Sequence, residues 1–355
     1  TSDPHVESIP STPGQWILLK LLEEELHEIG VEDVELTENG YLIARLPATL
    51  GNESKPVIGF MAHVDTSFDA PGEGVDPVIH ADYSGGLIEL KDGILLDPQT
   101  DRDLAARTGD TIITSDGTTL LGADDKAGVA EIITVAEWLL SHPEIEHGAI
   151  ELIFTPDEET GKGMDLFPKE KLRSVCCYTL DGDVEGTIEA ECFNAEKATM
   201  DFKGVPTHPG TARGKLMNAV SMAATFVSLL PRNESPEATD DRYGFYLPQE
   251  ISGSADTARL IVYLRDFESG ELDRRRQALR IFADAVEAQF PGGKVTIDIL
   301  RQYANMRIYF DNEPRAVGLL DEAVRSAGIE PIHKIIRGGT DGARLSAMGI
   351  PTPNI

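Results

Sequence analysis

The sequence predicts an α/β protein, a mixed sheet flanked by helices, carrying an inserted, smaller α+β domain of ferredoxin-like topology. Three observations lead there. The apolar stretches VIGFMAHVD (Val57–Asp65), AIELIFTPDEE (Ala149–Glu159) and VCCYTLDG (Val175–Gly182) each read as a buried strand whose polar residues gather at its C-terminal end, where an open α/β sheet places its ligands. Residues 195–304 read in the order β-α-β-β-α-β, the split βαβ motif. Beyond Asn305 the α/β pattern resumes. The expectation is a discontinuous first domain, 1–194 with 305–355, interrupted by a lid or dimerisation domain at 195–304.

Taken in order, Thr12-Pro13-Gly14-Gln15 has the form of a capping box with Pro at the first helical position, so a helix is expected over Trp16–Ile29, ending at Gly30. Val34–Leu46 alternates around Asn39-Gly40, a hairpin signal. The strand Val57–Ala62 follows, then a Gly-, Pro- and Asp-rich elaborated loop from Phe68 to Thr119 with strand-like pieces at Gly86–Leu90 and Thr111–Thr114. Asp125–Ser141 carries Val129, Ile132, Ile133, Ala136, Leu139 and Leu140 at helical spacing, which puts Asp124 and Asp125 at a helix N-terminus. In the insert, strands are expected at Lys197–Val205, Gly244–Gly253, Thr257–Asp266 and Lys294–Arg301, and helices at Leu216–Leu230 and Leu272–Phe290. A helix at Ala316–Ala327 and a strand at Ile332–Ile336 close the pattern.

At 355 residues the chain is long enough for two domains. A formal net charge of −30 disfavours nucleic acid and anionic lipid as partners. No apolar run approaches the roughly 20 residues that span a bilayer. Most of the acidity reads as a solvated surface. Cys176 and Cys177 are adjacent in an apolar strand and Cys192 is the odd one left, so all three read as small buried hydrophobes in a reducing, cytoplasmic setting. No secretory signal is visible, and the chain begins at Thr1.

The strand ends supply one His and several carboxylates, with no Cys among the candidate ligands, a donor set suited to one or two divalent metals. His63 and Asp65 are two apart and face the same side of a strand, so the carboxylate can orient the imidazole. Alone, HxD carries little. Glu158 and Glu159 follow Pro156 at a strand end, where one can bind metal while the other acts as a base; a surface Glu pair is the plain alternative. Asp181 ends a buried strand, where an unpaired charge is costly unless it is a ligand or salt-bridged, and Asp124-Asp125 could be an ordinary N-cap pair. Convergence on one end of every core strand lifts the metal reading above these.

The segments GFMAHVDTS, LLGADDKAG, TPDEETGKG, YTLDGDVEG, THPGTARG and IRGGTDGARLSAMGIPTPN, running in order from about Pro10 to Ile355, resemble the peptidase T family of tripeptide aminopeptidases, among the co-catalytic zinc exopeptidases related to aminoacylase and glutamate carboxypeptidase. The resemblance implies His63, Asp124, Glu159 and Asp181 as ligands of two Zn2+ per chain (Co2+ or Mn2+ being alternatives), with Asp124 bridging the ions. It implies Asp65 as the residue orienting His63, Glu158 as general acid/base acting on a bridging water, and a cis bond from Asp124 to Asp125. By the same resemblance His208 reaches a partner subunit's site in a homodimer, Arg265 and Arg337 clamp substrate carboxylate, and Gly338, Gly339 and Thr340 form a loop that substrate backbone approaches. A His bonded within its own loop, and an Arg265 paired with Asp266 or its neighbours, are the plainer alternatives. The family's closing His follows the PxPN strand, whereas this sequence ends at Ile355 and His333 precedes RGGTDG, so that ligand is expected in residues beyond Ile355, the alternative being one under-ligated metal.

The expected substrates are short peptides, chiefly tripeptides. Two other readings stay open: a related amidohydrolase acting on dipeptides, N-acyl amino acids or a C-terminal glutamate, since lid and loops choose the substrate; and a non-catalytic relative that binds peptide or metal without turnover.

Overall fold

The computed structural model describes residues 1–311 and 313–355. The chain forms two compact units, one of Thr1–Asp183 with Asn354–Ile355 and one of Val184–Pro353.

In the first unit, helix α1 (Pro13–Glu28) turns Leu19, Leu22 and Leu26 inward. Thr12 occupies the N-cap position but its side chain accepts no capping bond, so the expected capping box does not form. Gln15, its supposed second half, donates to the Thr12 hydroxyl at 3.1 Å but leaves the box open, its amide oxygen accepting the Asp157 N–H instead. β1 (Asp33–Leu36) and β2 (Leu42–Leu46) form the hairpin, with Gly40 at φ 74 where the turn requires a left-handed residue. β3 (Ile58–His63), β4 (Ile150–Thr155) and β5 (Cys176–Thr179) complete a five-stranded sheet in the order β1-β2-β4-β3-β5. β4 runs antiparallel to β2 and parallel to β3, and β5 is parallel to β3. Because β3, β4 and β5 are parallel, their C-terminal ends, and hence His63, the Glu158-Glu159 turn and Asp181, lie along one edge of the sheet.

Helix α2 (Ala123–Ser141) buries Val129, Ile132, Ile133 and Ala136, the inward face read from the sequence, while Leu140 is exposed. Asp124 and Asp125, in its first turn, are non-helical and joined by a cis bond. Gly128 permits the close approach of this helix to the sheet, because a Cβ there would lie 2.1 Å from the Leu180 carbonyl oxygen. The elaborated loop holds short antiparallel pairs at 78–80 with 112–114 and at 88–89 with 95–96, packed around Tyr83, Ile88 and Leu104.

In the second unit, β6 (Thr187–Cys192) is a strand that the sequence reading did not separate. It pairs in parallel with β11 (Ile332–Ile336). β7 (Asn194–Lys203), helix α3 (Ala219–Leu229), β8 (Phe245–Gly253), β9 (Thr257–Asp266), helix α4 (Ser269–Gln289) and β10 (Lys294–Tyr303) follow in the expected β-α-β-β-α-β order. The sheet order is β8-β9-β7-β10, antiparallel throughout. One face of that sheet packs on α3 and α4 through Phe202, Met222, Phe226, Leu260, Leu264 and Leu279. Helix α3 buries only Ala219, Met222, Ala223 and Phe226, so this single core uses its main apolar face. Helices α5 (Arg315–Ser326) and α6 (Asp341–Ala347) lie either side of β11 in sequence.

All three cysteines are buried and free. Among the described residues no helix is long and apolar enough to cross a membrane.

Candidate metal centre

His63, the last residue of β3, points its ring into a ring of acids. Its Nε2 lies 2.9 Å from Asp124 Oδ1 and 3.7 Å from Asp181 Oδ1, and its Nδ1 is 3.3 Å from Asp65 Oδ1. One ligand atom from each of His63, Asp124 and Asp181 fits within 4.8 Å of the others. Glu159 is outside that tight set, yet close enough to Asp124, His63, Asp65 and Asp181 to interact with their charges.

Several local devices hold these groups. Asp65 is buried and accepts the backbone N–H of Glu158 (3.1 Å) and of Glu159 (3.2 Å), tying the β3 end to the turn after β4. Asp125 is buried and accepts the His63 N–H at 3.0 Å, which fixes the start of α2 against β3. Asn354 grips the end of β5. Its Oδ1 accepts from Thr179 Oγ1 (2.8 Å) and from the Asp181 N–H (3.3 Å), and its Nδ2 donates to the Asp181 carbonyl (3.1 Å). Gly182 lets the chain end pass close by, since a Cβ there would meet the Ile355 backbone at 2.6 Å.

The electrostatics are those of an acid cluster short of positive charge. Burial, then the charge of Asp124, raises the Glu159 carboxyl; burial raises Asp181, against the pull of His63. Burial and then Asp181 push Asp125 up to about 8. Burial opposes a proton on His63, but Asp124, Asp181 and Asp65 outweigh it and hold the imidazole well above its ordinary value. The ammonium of Lys126 is lowered by burial against the pull of the same acids. Among the described residues no carboxylate stands within 4.0 Å of it. An imidazole nitrogen and hard oxygen donors converging without a guanidinium match a divalent cation, which would displace the imidazole proton and relieve the carboxylate repulsion. The donor chemistry therefore fits the metal that the sequence implies.

The remaining residues singled out in the sequence belong to the second unit. His208 is exposed, and its Nδ1 accepts the Gly210 N–H at 3.1 Å, which in the neutral ring leaves the proton on Nε2. Arg265 donates to the carbonyls of Leu264 (3.0 Å) and Glu196 (3.3 Å) and stacks over the rings of Tyr263 and Tyr303. Tyr303 also covers Gly339, where a Cβ would sit 2.6 Å from the ring. Arg265 and the Gly338-Gly339 loop are thus joined through an aromatic residue that the sequence reading passed over. Arg337 donates to the carbonyls of Asp241 (2.7 Å), Tyr243 (2.9 Å) and Thr239 (3.2 Å) and stacks over Phe193. Thr340 caps α6, its side chain accepting the Ala343 N–H at 3.2 Å.

A parallel sheet edge with a His, a set of facing acids and an adjacent glutamate on a tied turn defines a metal-dependent hydrolase. The comparisons with known proteins place it further. The profile of peptidase family M20/M25/M40 matches residues 116–355. The chain is 44% identical over its whole length to the peptidase T of Geobacillus kaustophilus, of which it covers 86%, and 45% identical to that of Clostridium perfringens, of which it covers 87%. The fold matches a crystal structure of aminopeptidase PepT from Bacillus cereus with a TM-score of 0.75 at 24% identity, over 99% of this chain and 87% of that one. It also matches a dinuclear metal-binding peptidase of the M20 family from Bacillus subtilis with a TM-score of 0.63 at 16% identity, over 99% of this chain and 84% of the other. This chain belongs to peptidase family M20/M25/M40 and, within it, to the peptidase T family.

Proposed function

We propose that the chain is a zinc-dependent aminopeptidase that releases the N-terminal residue from tripeptides, with two Zn2+ per chain and Co2+ or Mn2+ able to replace them. The single observation that supports this most is the joint position of His63, Asp124, Asp181, Glu159 and Glu158 at one sheet edge in a chain 44% identical to peptidase T throughout. His63, Asp124, Glu159 and Asp181 hold the metal, and Asp65 orients His63 while fixing the Glu158-Glu159 turn. Metal bound there supplies Lewis acidity and makes water a nucleophile near neutral pH.

Glu158 takes a proton from the attacking water and later gives it to the leaving amine, so one carboxyl serves as base and then acid. His208, with its proton on Nε2, donates to the oxyanion, and it does so across a homodimer. Arg265 and Arg337 face the substrate carboxylate, and Gly338, Gly339 and Thr340 flank the peptide backbone. In this reading residues 1–194 and 305–355 form the catalytic body, 195–304 form the lid, and the enzyme works in the cytoplasm.

Replacing Glu158 with Ala tests the assignment. Turnover of a free tripeptide should fall by about 10³-fold or more with metal retained, and near-normal turnover would reject Glu158 as the base. A substrate panel tests the rest: preference for an N-acylated peptide over the free one would reject aminopeptidase activity, because a free amine is what such an enzyme recognises.

A further inference from the structure

The turn that carries Glu158 is held from a second side, by the start of the chain. Asp157 is fully buried and adopts a left-handed conformation, φ 57 and ψ 28, which after glycine is taken most readily by asparagine and aspartate. Its carboxylate accepts the Ser11 N–H at 2.7 Å, the Ser11 hydroxyl, and the Gln15 side-chain amide at 2.7 Å. The Asp157 N–H in turn donates to Gln15 Oε1 at 3.0 Å. One glutamine amide therefore reads both the carboxylate and the backbone of the same residue, and its O and N cannot be exchanged without losing both bonds. Gln15 and Ser11 are themselves buried. The hydroxyl of Thr160, beyond the two glutamates, closes back on the Asp157 carbonyl at 3.0 Å.

We propose that Ser11, Gln15 and Asp157 are positioning residues for the reaction, forming a brace that fixes the backbone from which Glu158 projects. The inference rests on the reading of Glu158 as general base. A buried carboxylate is costly without donors to satisfy it, and this one collects three and sits one residue before the base. Asp65 holds the N–H groups of Glu158 and Glu159, and the brace holds the residue before them, so the turn is fixed at both ends. A base displaced by about 1 Å loses on the order of 10²-fold in rate. The brace therefore acts on kcat rather than on substrate affinity.

The test exchanges acid and amide across the brace in the full chain, measuring kcat, KM, bound metal and thermal midpoint. Gln15→Glu sets two carboxylates against each other and should lower kcat by about 10- to 100-fold, with KM within about 3-fold and metal content unchanged. The double variant Gln15→Glu with Asp157→Asn restores the pairing, because a carboxylate at 15 accepts both from the residue-157 N–H and from the new amide, and asparagine suits the left-handed backbone. Its kcat should return to within about 5-fold of the parent. Ser11→Ala, a smaller change that spares folding, should lower kcat by about 3- to 10-fold.

Folded single variants with parental kcat overturn the proposal. So does a double variant that regains thermal midpoint but not kcat, the outcome of a merely structural role. Failure of the underlying reading shows separately: Glu158→Gln, which leaves Ser11, Gln15 and Asp157 intact, would then turn over normally.

Discussion

Both units cluster carboxylates, and what faces those carboxylates differs. In the second unit Asp266, Glu234 and Glu196 lie under guanidinium groups. Arg275, itself buried, is 2.9 Å from Asp266 Oδ2 and also contacts Glu234; Arg274 is 2.8 Å from Glu234; Arg276 contacts Glu196. Burial works to raise Glu234, but Arg274 and Arg275 hold its carboxyl below the ordinary value. In the first unit Asp124, Asp181 and Glu159 face each other around one imidazole, and burial drives Asp181 and Glu159 upward. The first pattern carries its counter-charge in the apoprotein, although burial still raises Asp266 against the pull of Arg275. The second lacks its counter-charge, which a cation supplies. An acid with its own arginine is framework, and an acid facing other acids around one imidazole marks a site.

That contrast predicts opposite results from similar substitutions. Asp124→Ala should remove metal and lower turnover by about 10³-fold or more, while the metal-stripped protein should lose no more than about 1 kcal/mol of stability, because the Asp124 side chain is largely exposed and its pairing with His63 is screened by solvent. Arg275→Met should leave metal binding intact and destabilise the fold by about 3–5 kcal/mol, since it strands Asp266 buried and unpaired. Chemical denaturation with metal analysis of both variants checks the pair. Equal destabilisation by the two would erase the distinction.

Removing metal should expose the unit difference as a pH dependence. The folded-state values of Asp125, about 8, and of His63 are both raised above their unfolded values. The folded site therefore holds protons that the unfolded chain releases, and stability falls as pH rises, from about 4 toward 8 for Asp125 and above about 6.5 for His63. The chelated protein should lose thermal stability over that window, and added Zn2+ should reverse the loss, most strongly at the higher pH. Asp125→Asn should flatten the slope in the chelated protein, and an unchanged slope would show that the acid cluster is not its source.

A smaller effect tests the proposed use of the second unit. Mixing inactive Glu158→Ala and His208→Ala subunits should restore activity at one of the two sites of each hybrid dimer. No recovery despite demonstrated subunit exchange would place His208 within its own chain's chemistry or outside it. The smallest expected signal is from the thiols. Burial raises Cys177 and pushes Cys192 up to about 12, so neither should react with a thiol reagent at pH 8 until the protein unfolds.

Much of this was legible in the sequence because the local signals agreed with the fold. The apolar runs ending in His63-Val64-Asp65, Glu158-Glu159 and Asp181 became parallel strands with those residues at one edge, and Thr257–Asp266 and Ile332–Ile336 formed as read. What escaped was made of contacts distant in sequence. Gln15 has the spacing of a capping residue, but its partner is Asp157, 142 positions away. Asn354 near the chain end holds Asp181, and Tyr303 joins Arg265 to Gly339. No periodicity or local motif encodes such pairings. β6 was missed although Thr187–Cys192 alternates polar and apolar residues, and the strand it pairs with, β11, lies more than 140 residues later.

The central claim, that the acid cluster of the first unit is a metal centre driving peptide hydrolysis, is tested most directly by titrating the metal-stripped protein with Zn2+ while following hydrolysis of a free tripeptide. The account predicts uptake of about two ions per chain, with activity rising in step and both lost in Asp124→Ala. Hydrolysis that persists without metal, or Zn2+ uptake that Asp124→Ala leaves unchanged, would contradict it.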